Sequence, residues 1–121
     1  MGNLPDIDKA QTTFFNFNMI SDDQQKQKIM SLVDVDKADR VQICNNIELF
    51  KRFCSEAHRL VDRGRTHYSA RTITEYLRHH SLFEDNDSNF KINDHIIPKL
   101  SRVSMALFPA LNGLFELRGG K

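Results

Sequence analysis

This 121-residue chain has little of several residue types, and each scarcity excludes a class of protein. Two cysteines are too few for a disulfide framework, and they form no paired zinc-ribbon motif. The longest apolar runs are only a few residues, far short of the roughly 20 that span a bilayer. The chain starts Met-Gly-Asn-Leu-Pro-Asp, which has neither the basic nor the apolar region of a secretory signal. We therefore expect a cytoplasmic protein with reduced cysteines and no membrane segment.

Catalytic and ligand-binding signatures are also missing. No phosphate-cradling glycine motif or serine-centred nucleophile motif occurs. Residues 85–89 begin like a calcium loop, but Phe90 and Ile96 stand where that loop needs glycine and a bidentate glutamate. Cys54 and His58 have a helical spacing that could share zinc, yet an interior cysteine beside a surface histidine explains them equally well. We predict that the chain is not an enzyme and carries no metal or cofactor.

What the chain does contain is hydrophobic spacing typical of a mainly α-helical domain. In residues 46–63 apolar side chains recur at three- and four-residue intervals, and Gly64 supplies a left-handed stop. Residues 70–80 repeat the pattern behind a capping serine, Ser69. Apolar side chains have the same spacing in residues 95–107. We expect these three helices to build the core.

Short alternating segments flank the last of these helices. Residues 90–92 precede it, and Asn112-Gly113 is a turn signal before a second alternating segment. The alternation predicts a two-stranded sheet that pairs residues near 90–92 with those near 114–117. Helices followed by such a sheet occur in small helix-turn-helix and winged-helix-like domains, and we assign residues 45–121 to a domain of this class.

Residues 1–44 are predicted to be an N-terminal arm and helix that pack on the main domain or on a partner. Residues 13–19 alternate well enough for an edge strand or a docking arm, and Ser21 can cap a following helix that continues to Val33. Phenylalanine side chains are costly to leave in water, so those of the arm should pack on the main domain or on a partner. The predicted partner-binding residues are Phe14, Phe15 and Phe17.

Positive charge is concentrated in the second part of the chain. Residues 46–121 carry twelve basic and nine acidic side chains, although the pI of 7.8 is below the value of about 9 that is typical of a nucleic-acid-binding domain. A solvated, arginine-rich helix surface explains the same bias. If the helix at 95–107 reads a DNA groove, flanking cations contact phosphates or base edges. The predicted nucleic-acid contacts are Arg71, Lys91, His95, Lys99, Arg102 and Arg118.

Six short segments carry a resemblance to a known family. They are Glu48-Leu49-Phe50, Arg63-Gly64-Arg65, Tyr68-Ser69-Ala70-Arg71, Phe90-Lys91-Ile92-Asn93, Phe108-Pro109-Ala110-Leu111 and Gly113-Leu114-Phe115-Glu116-Leu117-Arg118. From residue 45 onward the chain resembles small uncharacterised proteins of bacteriophages and prophages. It departs from them in its first 40 residues and at Asp94-His95, where the family tends to have Asn and an aromatic residue. The resemblance implies a phage or mobile-element origin and a bacterial cytoplasm, but supplies no activity.

Two functions fit these observations. The first is a small phage or mobile-element protein that binds DNA through residues 95–107. The second is an interaction module that binds and inhibits or adapts a bacterial host protein, without catalysis. Either function is compatible with a homodimer. Basic residues gathered on one face with the last helix favour DNA, whereas scattered basic residues favour a protein partner.

Overall fold

The computed structural model describes residues 13–84 and 93–116 of the chain. In that part the predicted mainly helical character is confirmed. The described residues form six α-helices: α1 (Phe14–Met19), α2 (Asp22–Met30), α3 (Lys37–Cys44), α4 (Ile47–Asp62), α5 (Ala70–Glu84) and α6 (Ile97–Leu107). Short 3₁₀ turns, Asp94–Ile96 and Pro109–Leu111, precede and follow α6.

The predicted sheet is wrong, and the winged-helix-like assignment fails with it, because the described residues contain no strand. Leu114 and Phe115 lie in a bend of the chain and are buried in the core. Gly113 begins this path with a φ of 82°, and the Leu114 carbonyl accepts a single backbone hydrogen bond from Tyr68 N–H at 2.9 Å. The other predicted strand, residues 90–92, lies outside the described residues.

The spacing of apolar residues in α4 correctly predicted a buried face. Phe50, Phe53 and Ala57 are completely buried. The helix ends just before Gly64, whose φ of 96° confirms the predicted left-handed stop. Ser69 caps α5 as predicted, since its Oγ accepts the Thr72 N–H at 3.2 Å.

Residues 13–19 form a helix rather than the predicted edge strand. Thr13 caps it by accepting the Asn16 N–H at 3.0 Å. Phe17 is fully buried, with its ring centroid 5.3 Å from that of Phe108 and 6.2 Å from that of Phe50. Edge-on contacts of this kind add to the stability gained by burying the rings. The aromatic cluster therefore joins α1 to α4 and to the end of α6.

The next helix, α2, begins as predicted. Ser21 Oγ accepts the Gln24 N–H at 3.2 Å, and Gln24 Oε1 accepts the Ser21 N–H at 3.1 Å. This reciprocal capping box confirms Ser21 as the helix start. The helix ends at Met30, earlier than the predicted end at Val33.

Candidate binding surfaces

The helix predicted to read DNA is a central element of the fold. Helix α6 packs against α3, α4 and α5. Its buried positions are Ile97, Leu100, Ser101, Val103, Ser104 and Leu107. The two serines donate hydrogen bonds from their hydroxyl groups to carbonyl oxygens of α6: Ser101 to Ile97 at 3.2 Å and Ser104 to Ser101 at 3.1 Å. Few side chains of α6 are therefore exposed enough to enter a DNA groove.

Two cations of α6 face an acidic side chain of α3. Asp39 is buried, and its Oδ2 accepts a hydrogen bond from Arg102 Nη1 at 3.1 Å. Lys99 Nζ lies 3.9 Å from Oδ1 of the same carboxylate. Both predicted phosphate contacts therefore already have a counter-charge within the protein.

Arg71 belongs to a second ion-paired group, which joins α5 to the 3₁₀ turn before α6. Its Nη1 lies 3.6 Å from Asp94 Oδ2, while Arg78 Nη2 donates to Asp94 Oδ1 at 2.8 Å. The hydrogen bond from Arg78 is the main reason that the pKa of Asp94 lies below its ordinary value. His95 is exposed beside Asp94. The remaining predicted contacts, Lys91 and Arg118, lie outside the described residues.

A cavity of about 700 Å³ brings together two of the predicted nucleic-acid contacts, Arg71 and Arg102. It lies between the start of α5 and the first turns of α6, with His67 and Tyr68 on its wall. Lys99 and His95 do not line it. The sequence predictions missed His67 and Tyr68, for which the only signal is their position just before the cap of α5.

A second cavity, of about 900 Å³, lies between the segment that leads into α3 and the last turns of the described chain. Four of its lining residues are acidic, and Arg102 is the one arginine or lysine among them. The acidic lining residues are Asp34, Asp36, Asp39 and Glu116. We call this cavity the acidic groove. No motif in the sequence predicted it, because it is assembled from distant segments.

The predicted partner-binding residues of α1 differ in how far they are buried. Phe17 is in the core, and Phe14 is half-buried with its ring stacked on His58 at a centroid distance of 4.8 Å. Phe15 is 72% exposed, and Met19, one helical turn later, is 69% exposed. Helix α1 is thus anchored on one side and presents an apolar pair on the other. Met19 was not among the predicted partner-binding residues, although the alternation in residues 13–19 also placed it on one face with Phe15 and Phe17.

Cys54 does not form a nucleophilic centre with His58, the histidine one helical turn away. Cys54 is completely buried, and burial raises the pKa of its thiol well above the ordinary value. His58 Nδ1 donates to the Cys54 carbonyl oxygen at 2.8 Å rather than engaging the sulfur. Among the residues that the structure describes, no group of three or more His, Cys, Asp and Glu side chains could hold a metal ion.

The chain matches no known protein family, no curated protein and no solved structure. The resemblance to phage proteins therefore stays a prediction. No helix in the described ranges is both long enough and apolar enough to cross a membrane.

Proposed function

We propose that this chain is a protein-binding module without catalytic activity, and that it docks on its partner through the exposed side of α1. The observation that carries the proposal is the pair Phe15 and Met19, which are 72% and 69% exposed on neighbouring turns of one short helix. Large apolar side chains grouped at the surface are typical of interaction sites.

The way in which α1 is held supports this proposal. Phe14 and Phe17 fix the helix to His58 and to the aromatic cluster, so the outer pair is already ordered before a partner arrives. Pre-ordering reduces the entropy lost on association. An aromatic ring beside a flexible methionine also suits an apolar pocket on another protein. From the resemblance to phage proteins, we infer that the partner is a protein of the bacterial host.

Site-specific photo-crosslinking in bacterial cells tests the proposal. A benzoylphenylalanine at position 15 or 19 should form an adduct with a discrete cellular protein, because both positions point to solvent. The same group at Thr72, which is exposed on α5, is the matched control. The captured protein is then purified, and its affinity is measured for the parent and for the Phe15→Ser/Met19→Ser variant.

An adduct at positions 15 and 19 but not at 72, with binding that the double variant weakens by at least about tenfold, is the expected result. Equal adducts at all three positions would show collision rather than docking. The absence of any adduct at 15 and 19 would also overturn the α1 surface. Thermal unfolding of the double variant checks that its fold is unchanged.

Binding to nucleic acid is the second candidate. It is favoured by the cavity in which Arg71 and Arg102 converge beside Tyr68, whose ring could stack on a base. If it is correct, binding of the parent to DNA should weaken steeply with salt, because phosphate neutralisation releases counterions. Arg71→Gln should make that dependence shallower. Arg102→Glu is a poor test, since it would place a second carboxylate against Asp39. No binding at low salt would remove this candidate.

A further inference from the structure

The acidic groove has an apolar floor and a charged rim. Val35 and Phe115 line it and are only 8% and 4% exposed, and Met105 is half-buried beside them. On the rim, Asp34, Asp36 and Glu116 are exposed. A groove of this kind offers a concave apolar surface to a side chain and a negative rim to the groups around it.

The rim carboxylates are not neutralised within the described part of the chain. Asp39 differs from them, because it is buried and faces Arg102 and Lys99. Asp34, Asp36 and Glu116 form no ion pair with another described residue. Arg102 lines the groove, but its charge is opposed by Asp39. Counted over the described residues, the lining of the groove consequently has a net negative charge.

The negative charge limits what can occupy the groove. Phosphate groups of nucleic acid or of a nucleotide would be repelled, and a purely apolar segment would leave the carboxylates without a complementary charge. Lysine and arginine side chains around one bulky apolar side chain match both the floor and the rim.

We propose that the acidic groove binds a short segment of a partner protein in which Lys or Arg residues flank a bulky apolar side chain. This inference rests on the proposed protein-binding function and adds the chemistry of the partner. The apolar side chain contacts Val35, Met105 and Phe115. The flanking cations approach the carboxylates of Asp34, Asp36 and Glu116.

A random-peptide library displayed on phage, selected against the full chain at low salt, provides the probe. We expect the selected peptides to combine Lys or Arg with Leu, Met or an aromatic residue. Their affinities are then measured as synthetic peptides by fluorescence anisotropy. Asp34→Asn/Asp36→Asn should weaken binding roughly tenfold, because two rim charges are lost while side-chain size is kept.

The matched control is Asp23→Asn/Asp62→Asn, which changes net charge equally at exposed positions outside the groove. It should leave the affinity unchanged. Neither double variant removes a described ion pair, and Asp36 makes no side-chain capping bond at the start of α3. Both variants should therefore fold, which circular dichroism and thermal unfolding check.

Three results would overturn the groove proposal: no selected peptides, selected peptides without excess positive charge, or equal weakening by both double variants. A concentration-dependent dimer that Asp34→Asn/Asp36→Asn abolishes would also overturn it, by assigning the groove to a second copy of the chain. If a protein crosslinked at position 15 binds the groove variant as well as it binds the parent, the groove fails and the α1 proposal stands. If peptides bind the groove but no adduct forms at 15 or 19, the α1 surface fails instead.

Discussion

Arg102 of α6 donates a hydrogen bond from Nη1 to Oδ2 of Asp39 on α3 at 3.1 Å. The two residues are 63 positions apart in the chain, so this bond ties an early helix to the last one. Asp39 is almost inaccessible to water, with 10% of its side chain exposed, whereas Arg102 retains 39%. A mostly buried carboxylate depends strongly on its partners, since it has lost most of its hydration.

Replacing Asp39 by alanine should destabilise the fold by about 1–2 kcal/mol, the lower part of the range for charged hydrogen bonds because Arg102 is partly exposed. Denaturant unfolding measures the change. Glu56→Gln is the control, as it removes the negative charge from the Arg59–Glu56 contact of 3.3 Å within α4, where Arg59 is 56% exposed. That change should cost less than about 0.5 kcal/mol. Equal effects of the two substitutions would contradict a special role for Asp39.

The same pair illustrates why the role of α6 could not be predicted from the sequence. Hydrophobic periodicity located the helix correctly, since Leu100, Val103 and Leu107 are indeed buried. However, periodicity cannot show which other helices cover the remaining sides. Asp39 comes from a charged segment that gives no sign of burial, and short serine hydroxyls can satisfy themselves within their own helix. The predicted DNA-reading face was therefore assigned without these neighbours.

Residues 13–19 show a different limit. Six helical residues are too few for period 2 and period 3.6 to be separated reliably, and Phe-Phe-Asn-Phe-Asn-Met fits both. The helix is stabilised over a strand by the Thr13 cap and by the contact of the Phe17 ring with the distant Phe108 ring. By contrast, α4 extends over 16 residues with one continuous buried face, so its pattern was sufficient. The acidic groove also could not be predicted locally, because it combines four separate stretches of the chain that no local motif connects.

Phe17→Ala and Phe15→Ala form a matched pair that tests how α1 is attached. The first removes a ring that is completely buried, and should cost about 3–5 kcal/mol through lost burial and the cavity that remains. The second removes a ring that is 72% exposed, and should change stability by less than about 0.5 kcal/mol. Chemical denaturation of both variants measures the difference. Similar losses in the two variants would mean that Phe15 also packs on the domain.

Asp94 gives a prediction about pH. Its pKa is lowered from the ordinary 3.8, first by the hydrogen bond from Arg78 and then, more weakly, by the charge of Arg71. The folded state consequently holds this proton less tightly than the unfolded state does. The associated stability is present above the ordinary pKa and is lost as pH falls through the lower folded value.

Carboxyl chemical shifts from NMR follow this titration directly. The Asp94 midpoint should lie below the ordinary value, and Arg78→Gln should raise it more than Arg71→Gln does. A midpoint that responds equally to both arginine substitutions would contradict the dominant contribution of the Arg78 hydrogen bond.

The two thiols should differ in their reactivity. Burial raises the pKa of Cys54 far more than that of Cys44, and Cys44 is only half-buried, with the nearby positive charge of Lys26 partly offsetting the rise. Because the thiolate is the reactive form, Ellman's reagent should label Cys44 slowly in the native protein and leave Cys54 unlabelled. Unfolding in denaturant should make both react.

Cys44→Ser should abolish native labelling, whereas Cys54→Ser should preserve the slow reaction provided that it folds. Native labelling of Cys44→Ser at the parental rate would show that the reagent reaches Cys54, and hence that α4 separates from the core on the timescale of the reaction.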